Sequence, residues 1–198
     1  GLSGLAVGIL AGRLPYFDRH LEAALPPDWL QVPGGGRWPL LPAGAYEPRD
    51  FVRHGDVRGL WELGRLQALP VLAAAARLAL AANPQDRGAA RCSEAALAQL
   101  ADFRGANPLG WGPHWIAGLE SGLRIFSLLW TWQLLPPAAL SDPATLLLAA
   151  ALRENGRFTA AHLSEKAIAN NHLLGEAAAL YCLGAALPVF PESAAWGE

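Results

Sequence analysis

From residue 57 onward the sequence runs through five stretches rich in leucine and alanine, set at helical spacing and punctuated by Pro, Gly or Asn, a pattern that leaves packed helices as the outcome. Between Val57 and Ala82, Leu60, Trp61, Leu63, Leu66, Leu69, Leu72 and Leu78 recur at that spacing. Asp56 is placed to cap the start, and Pro70 is expected to kink or divide the helix. A second helix is expected from about Ser93 to Phe103, ended by the turn at Gly105 to Pro108. The third begins near Pro113, a favourable first-turn residue, and reaches Leu134 before Pro136-Pro137 stops it. The fourth starts at Ser141-Asp142-Pro143 and runs towards Leu163, with Asn155-Gly156 as its expected break. The last runs from His172 to Ala186, capped by Asn170 or Asn171 and closed by Pro188 and Pro191. It is apolar nearly all round, which predicts burial on every side. Short connections between helices of similar length predict successive antiparallel hairpins.

The segment before this array reads differently. From Pro15 to Arg53, Pro26-Pro27, Gly34-Gly35-Gly36 and Pro42 interrupt the chain too often for long elements, and a short helix is expected only within Leu2 to Leu14. Residues 1–54 are therefore read as an irregular wrap and residues 55–198 as the helical domain. Apolar residues make up 53% of the chain, dominated by Ala and Leu, so helix propensity has little competition from β-branched residues and the expected class is all-α. A formal net charge of -2 excludes a broadly basic surface, and no nucleic-acid partner is expected. Cys92 and Cys182 stand alone, without metal-ligand or redox spacing, and are read as buried thiols; neither metal nor cofactor is expected. The apolar stretches are interrupted before the roughly 18 residues a membrane span requires. The chain is read as soluble, and no signal peptide can be read at Gly-Leu-Ser.

Three places could carry chemistry. At Asn170-Asn171-His172 a helix start brings backbone N–H groups, two side-chain amides and an imidazole to one point, a donor set suited to a carboxylate. The plainer alternative is a single Asn cap, with His172 satisfying a buried carbonyl. Glu176 lies four residues on, on the same helix face, where it is expected to fix the imidazole tautomer. Glu120 and Arg124 share an i, i+4 spacing and form either a partly buried ion pair or, with flanking Trp residues such as Trp115, a platform for a sugar ring with Arg124 reaching a uronate carboxylate. Trp61-Glu62-Leu-Gly-Arg65 poses the same choice. No Gly-x-Ser-x-Gly elbow, P-loop or dinucleotide fingerprint occurs. Glu62, Glu120 and Glu176 keep glycoside hydrolysis by a carboxylate pair as an alternative.

Taken together, Asp56 to Arg65, Asn107-Pro108 to Trp130, and Asn170-Asn171-His172-Leu-Leu-Gly-Glu176 resemble the N-terminal helical domain of the heparinase II/III-like and alginate-lyase-like polysaccharide lyases. The resemblance covers roughly Gly55 to Trp196. It implies an incomplete α/α toroid of antiparallel helix hairpins, with its substrate groove at one end, in a periplasmic or secreted protein. It further implies an acidic polysaccharide as partner, and further helices and a β-sandwich of the same protein. The implied reaction is β-elimination in a uronic-acid polysaccharide. Asn171 and His172 would be catalytic, with Asn170, Trp115, Glu120, Arg124 and Glu176 binding substrate. The family's proton-transfer Tyr lies well beyond the Asn-His segment. Here the only tyrosines are Tyr16, Tyr46 and Tyr181, so the resemblance implies a catalytic set that is incomplete and inactive alone. The alternatives are a helical-toroid glycoside hydrolase and a non-catalytic carbohydrate-binding or scaffold domain.

Overall fold

The N-terminal segment holds more regular structure than its Pro and Gly content suggests. In the computed structural model, which describes residues 1–165 and 170–197, α1 (Leu2–Leu10) passes through Gly12 into an antiparallel hairpin of β1 (Arg13–Tyr16) and β2 (Arg19–Glu22). The strands form because Leu14 and Tyr16 alternate with Arg13 and Pro15, so that one face meets the core and the other stays at the surface. Gly12 is required at the bend: its φ is +87°, and a Cβ there would lie 2.4 Å from the carbonyl oxygen of Ala23. The expected helix to Leu14 thus ends early. Beyond β2 the wrap is irregular as read, up to the short α2 (Pro48–Arg53).

The all-α class is observed in the rest of the chain. The helices are α3 (Val57–Gly64), α4 (Ala68–Ala82), α5 (Arg87–Ala106), α6 (Gly118–Leu134), α7 (Asp142–Ala161), α8 (Asn171–Ala186) and the short α9 (Ser193–Trp196). Asp56 caps α3 by accepting from the Arg58 amide, and Asp86 caps α5 in the same way through Gly88, so α5 starts earlier than its apolar run suggested. The division of Val57–Ala82 falls at residues 65–67 and not at Pro70. Leu66 takes φ +58° there while its side chain stays in the core, and Pro70 sits in the first turn of α4, where no intrahelical partner is needed for its missing N–H. Val57–Ala82 has a window apolar enough for a membrane span. The turn at Leu66 breaks it, and α4 packs into the core.

Helix α7 is not broken at Asn155-Gly156. The Asn155 amide donates to the Ala151 carbonyl at 2.8 Å, and Gly156 lets neighbouring elements approach: a Cβ there would meet Leu183 at 2.6 Å and Trp196 at 2.7 Å. A mid-helix glycine costs about 1 kcal/mol against alanine, and the close packing of α8 and α9 offsets it. Consecutive helices α4 and α5 pack on each other, as do α6 and α7, while α6 also packs on α4 and α8. Leu69, Leu72, Leu100, Ile125, Leu128, Leu152 and Leu183 join these helices.

Helix α8 is not enclosed. It buries Glu176, Ala179, Leu180, Leu183 and Gly184, whereas Leu174 is 72% and Tyr181 61% exposed. Among the described residues, α6, α7 and α9 cover one side of α8. Cys92 is buried as read, but Cys182 is exposed beside Tyr181. It lines an apolar groove of about 560 Å³ between the C-terminal halves of α6 and α8, with Phe126, Leu129 and Trp130 opposite.

Candidate functional site

The parallel course of α6 and α8 brings their N-termini to one end of the array, where the C-terminus of α3 also arrives. Arg65, just past α3, joins this end together. Its Nε and Nη2 donate to the two Glu120 carboxylate oxygens at 2.8 and 3.0 Å, and its Nη1 donates to Glu62 Oε2 at 2.6 Å. The fork geometry of a guanidinium allows this double pairing. The Glu120 carboxylate, with that of Glu62, holds the Arg65 pKa above its ordinary value, against the effect of burial. Glu62 Oε1 also accepts from the Phe17 backbone at the hairpin tip and from the Gln67 amide.

Beneath this cluster lies Arg124, with no exposed surface. It does not form the expected ion pair with Glu120. Its Nε donates to Asn155 Oδ1 at 2.9 Å, Nη1 to the Gly64 carbonyl at 3.2 Å and Nη2 to the His114 carbonyl at 2.9 Å. Its guanidinium carbon lies 4.9 Å from the Trp115 ring centre and 5.2 Å from that of Phe103. Burial lowers its pKa to about 10, with the Glu120 charge acting in the opposite sense. Ser121 completes the network by donating to Asn155 Oδ1 at 2.8 Å. Two carboxylates and two guanidiniums thus stand together, joining α3, α6 and α7.

His114 closes the floor of this network. Its Nε2–H donates to the Trp29 carbonyl at 2.8 Å, which leaves Nδ1 without a partner among the described residues. The ring lies against Gly64, where a Cβ would come within 2.2 Å of Nδ1. Burial, and secondarily the Arg124 charge, push its pKa down to about 3 from 6.5. Between those values the unfolded chain binds a proton that the folded chain does not, so the contribution of neutral His114 is present above pH 6.5 and lost as pH falls. Urea midpoints taken from about pH 7 down to about pH 4 are expected to fall steadily. His114→Gln is expected to flatten that slope; an unchanged slope in the variant rejects the assignment.

Glu176, expected behind His172, turns inward instead. Its Oε2 accepts from the Ser164 amide at 2.7 Å and its Oε1 from the Ser164 hydroxyl at 2.8 Å. Space for the carboxylate comes from Gly118, the first residue of α6, where a Cβ would lie 3.1 Å from Oε1. The carboxylate therefore sits at the positive end of α6, which favours its charge. The i, i+4 spacing placed Glu176 on the same face as His172, but both of its oxygens serve the segment after α7.

At the start of α8, Asn170 is the cap and its Oδ1 accepts from the His172 amide at 3.1 Å. Asn171 is exposed and His172 half-buried. Among the described residues, neither side chain has a hydrogen bond. This end thus places two polar side chains beside the N–H groups of the first turn, a donor set for one anion.

The other expected binding residues are placed differently. Trp115 is 2% exposed, donates to the Asn107 carbonyl at 3.1 Å and packs edge-on to Phe158, so it is a core residue and no sugar platform. Arg124 has no surface to offer a ligand. Glu120 is buried with both oxygens on Arg65, so it too positions other groups and does not face a substrate. The three tyrosines lie away from the start of α8. Tyr46 donates to the Pro39 carbonyl, Tyr16 is buried against Gly59, and Tyr181 follows His172 by roughly 14 Å along the helix. Sequence reasoning missed Ser164, Ser121 and Asn155, all short polar residues without a spacing signature, and did not single out Phe17. No cluster of His, Cys, Asp or Glu able to hold a metal occurs among the described residues. Compared with protein-family models, with curated proteins and with solved structures, the chain matches none.

Proposed function

We propose that this domain is part of a uronate-specific polysaccharide lyase and supplies the carboxylate-binding half of its active site. In this reading the helical array is a portion of an α/α toroid, completed by further helices and a β-sandwich of the same protein. One observation carries the proposal: the three segments of the resemblance, spread over more than half the chain, converge on one end of the array. Arg65 of the first holds Glu120 of the second, and Glu176 of the third packs on Gly118 at the start of the second's helix.

The chemistry follows from the donors. A uronate carboxylate seated on Asn171, His172 and the first-turn N–H groups of α8 would be neutralised, which acidifies the adjacent C5–H. A base removes that proton, the electron pair forms the C4–C5 double bond, and the C4–O bond breaks with the oxygen taking a proton. Tyr16 is buried against Gly59 and Tyr181 lies further along α8, so neither stands beside the start of α8 to serve as base or acid. In this reading the proton-transfer group comes from another part of the same protein, and the domain alone is expected to bind without turnover.

The test is ultraviolet absorbance during incubation of the full-length protein with alginate, heparosan and heparan-type polymers, since elimination leaves a conjugated unsaturated uronate. Rising absorbance supports the lyase reading. New reducing ends without absorbance would instead establish hydrolysis. Binding without either product establishes the non-catalytic reading, which the placement of the tyrosines favours as second choice.

A further inference from the structure

Phe17 combines a left-handed backbone with an exposed aromatic side chain. It is the first of the two residues joining β1 to β2, since Tyr16 pairs with Arg19. Its φ is +50°, a conformation that hairpin turns of this length ordinarily give to glycine at that position. A bulky residue there is strained, and such strain persists where the surroundings or a function hold it. The residue is also 57% exposed, so burial compensates little.

The turn is held in place. The Phe17 N–H donates to Glu62 Oε1 at 3.3 Å, and its ring stands edge-on to buried Tyr16 with centres 4.8 Å apart. Glu62 is tied to Arg65 and Arg65 to Glu120. From Glu120 the first turn of α6 leads to Leu119, beside Gly175, and to Gly118, beside Glu176. His172 lies one turn back along α8. A continuous belt therefore runs across one end of α3, α6 and α8, with an exposed aromatic ring at one extremity and the α8 donors at the other. The Glu62–Arg65–Glu120 link and one interhelical step of about 8–10 Å, from α6 to α8, lie between them.

We propose that Phe17 is an aromatic platform that stacks on a sugar ring several units away from the uronate whose carboxylate is bound at Asn171 and His172. This assignment rests on the lyase reading and extends it to a distal subsite for an acidic oligosaccharide. A pyranose has an apolar C–H face that an exposed ring can cover. The separation makes the contribution of Phe17 dependent on substrate length.

Calorimetric titration of the wild-type chain, Phe17→Gly and Phe17→Tyr tests this with alginate and heparosan disaccharides and hexasaccharides, and with cellohexaose as neutral comparator. Phe17→Gly relieves the backbone strain, so its thermal midpoint is expected to equal or exceed that of the wild type. Its affinity for uronate hexasaccharides is expected to fall about tenfold, with disaccharide affinity unchanged and Phe17→Tyr close to wild type. Unchanged hexasaccharide affinity in Phe17→Gly overturns the platform and leaves the lyase reading intact. Equal weakening for both lengths overturns it in favour of a structural role. Binding of cellohexaose alone, weakened in Phe17→Gly, supports the platform but rejects the uronate reading. No binding of any sugar by the wild type overturns both.

Discussion

Arg124→Ala is expected to lower the unfolding free energy by about 3–5 kcal/mol, the range for breaking a buried charged network by removing one partner. Arg124 has no exposed surface, and its removal strands Asn155 Oδ1 and the carbonyls of Gly64 and His114 as acceptors. It also removes one of the two cations that balance Glu62 and Glu120, and the aromatic faces of Trp115 and Phe103 lose their cation. Arg124→Lys is expected to recover only part of the loss, because an ammonium cannot reproduce the planar fork. Urea unfolding of the three proteins measures this. A loss in Arg124→Ala of under about 1 kcal/mol, the range of an exposed pair, contradicts the network as described.

The second large effect concerns turnover and leaves stability nearly untouched. In the full-length protein, His172→Ala and Asn171→Ala are each expected to reduce kcat on the uronate polymer by about 10²–10³, the range for removing one donor to developing negative charge. Because Asn171 is exposed and both side chains lack other bonds among the described residues, their thermal midpoints should stay close to wild type. Asn170→Ala separates the roles. It removes the cap on the His172 amide, so it should cost about 1 kcal/mol of stability while affecting rate less. Initial rates from product absorbance decide the matter. A His172→Ala enzyme of wild-type rate removes the imidazole from the mechanism.

The helical part of the fold was legible in the sequence because its signals are local. Asp56 capping α3, Pro136-Pro137 ending α6 and Asn170 opening α8 each act over a few residues, and the structure carries all three. The hairpin at Arg13–Glu22 was not legible, because its strands are four residues long and the alternation of Leu14 and Tyr16 is too short to stand out beside the Pro and Gly around it. Asn155-Gly156 read as a break for a related reason. Its meaning lies in contacts with Ser121, Arg124, Leu183 and Trp196, distant in sequence and visible only after packing.

The same division runs through the candidate site. Helix spacing correctly put Glu120 and Arg124 on neighbouring turns but could not choose their partners. Glu120 went to Arg65, and Arg124 to neutral oxygens, because the residues that meet an α6 side chain are set by α3 and α7. Glu176 shows the point most sharply: the spacing that suggested a bond to His172 equally allowed the inward turn that the missing Cβ of Gly118 makes possible. The Asn170 cap is the part of this end that sequence anticipated, since a cap and its first turn are defined within the segment itself.

The lyase reading requires that the start of α8 bind a uronate carboxylate. Chemical-shift titration of this chain with alginate and heparosan hexasaccharides, against cellohexaose, measures that at the backbone amides of Asn171, His172 and Leu173 and at the His172 ring. Saturable shifts are expected there with the uronate oligomers and none with the neutral one. Shifts absent from those groups, or confined to the groove between Trp130 and Tyr181, would contradict it.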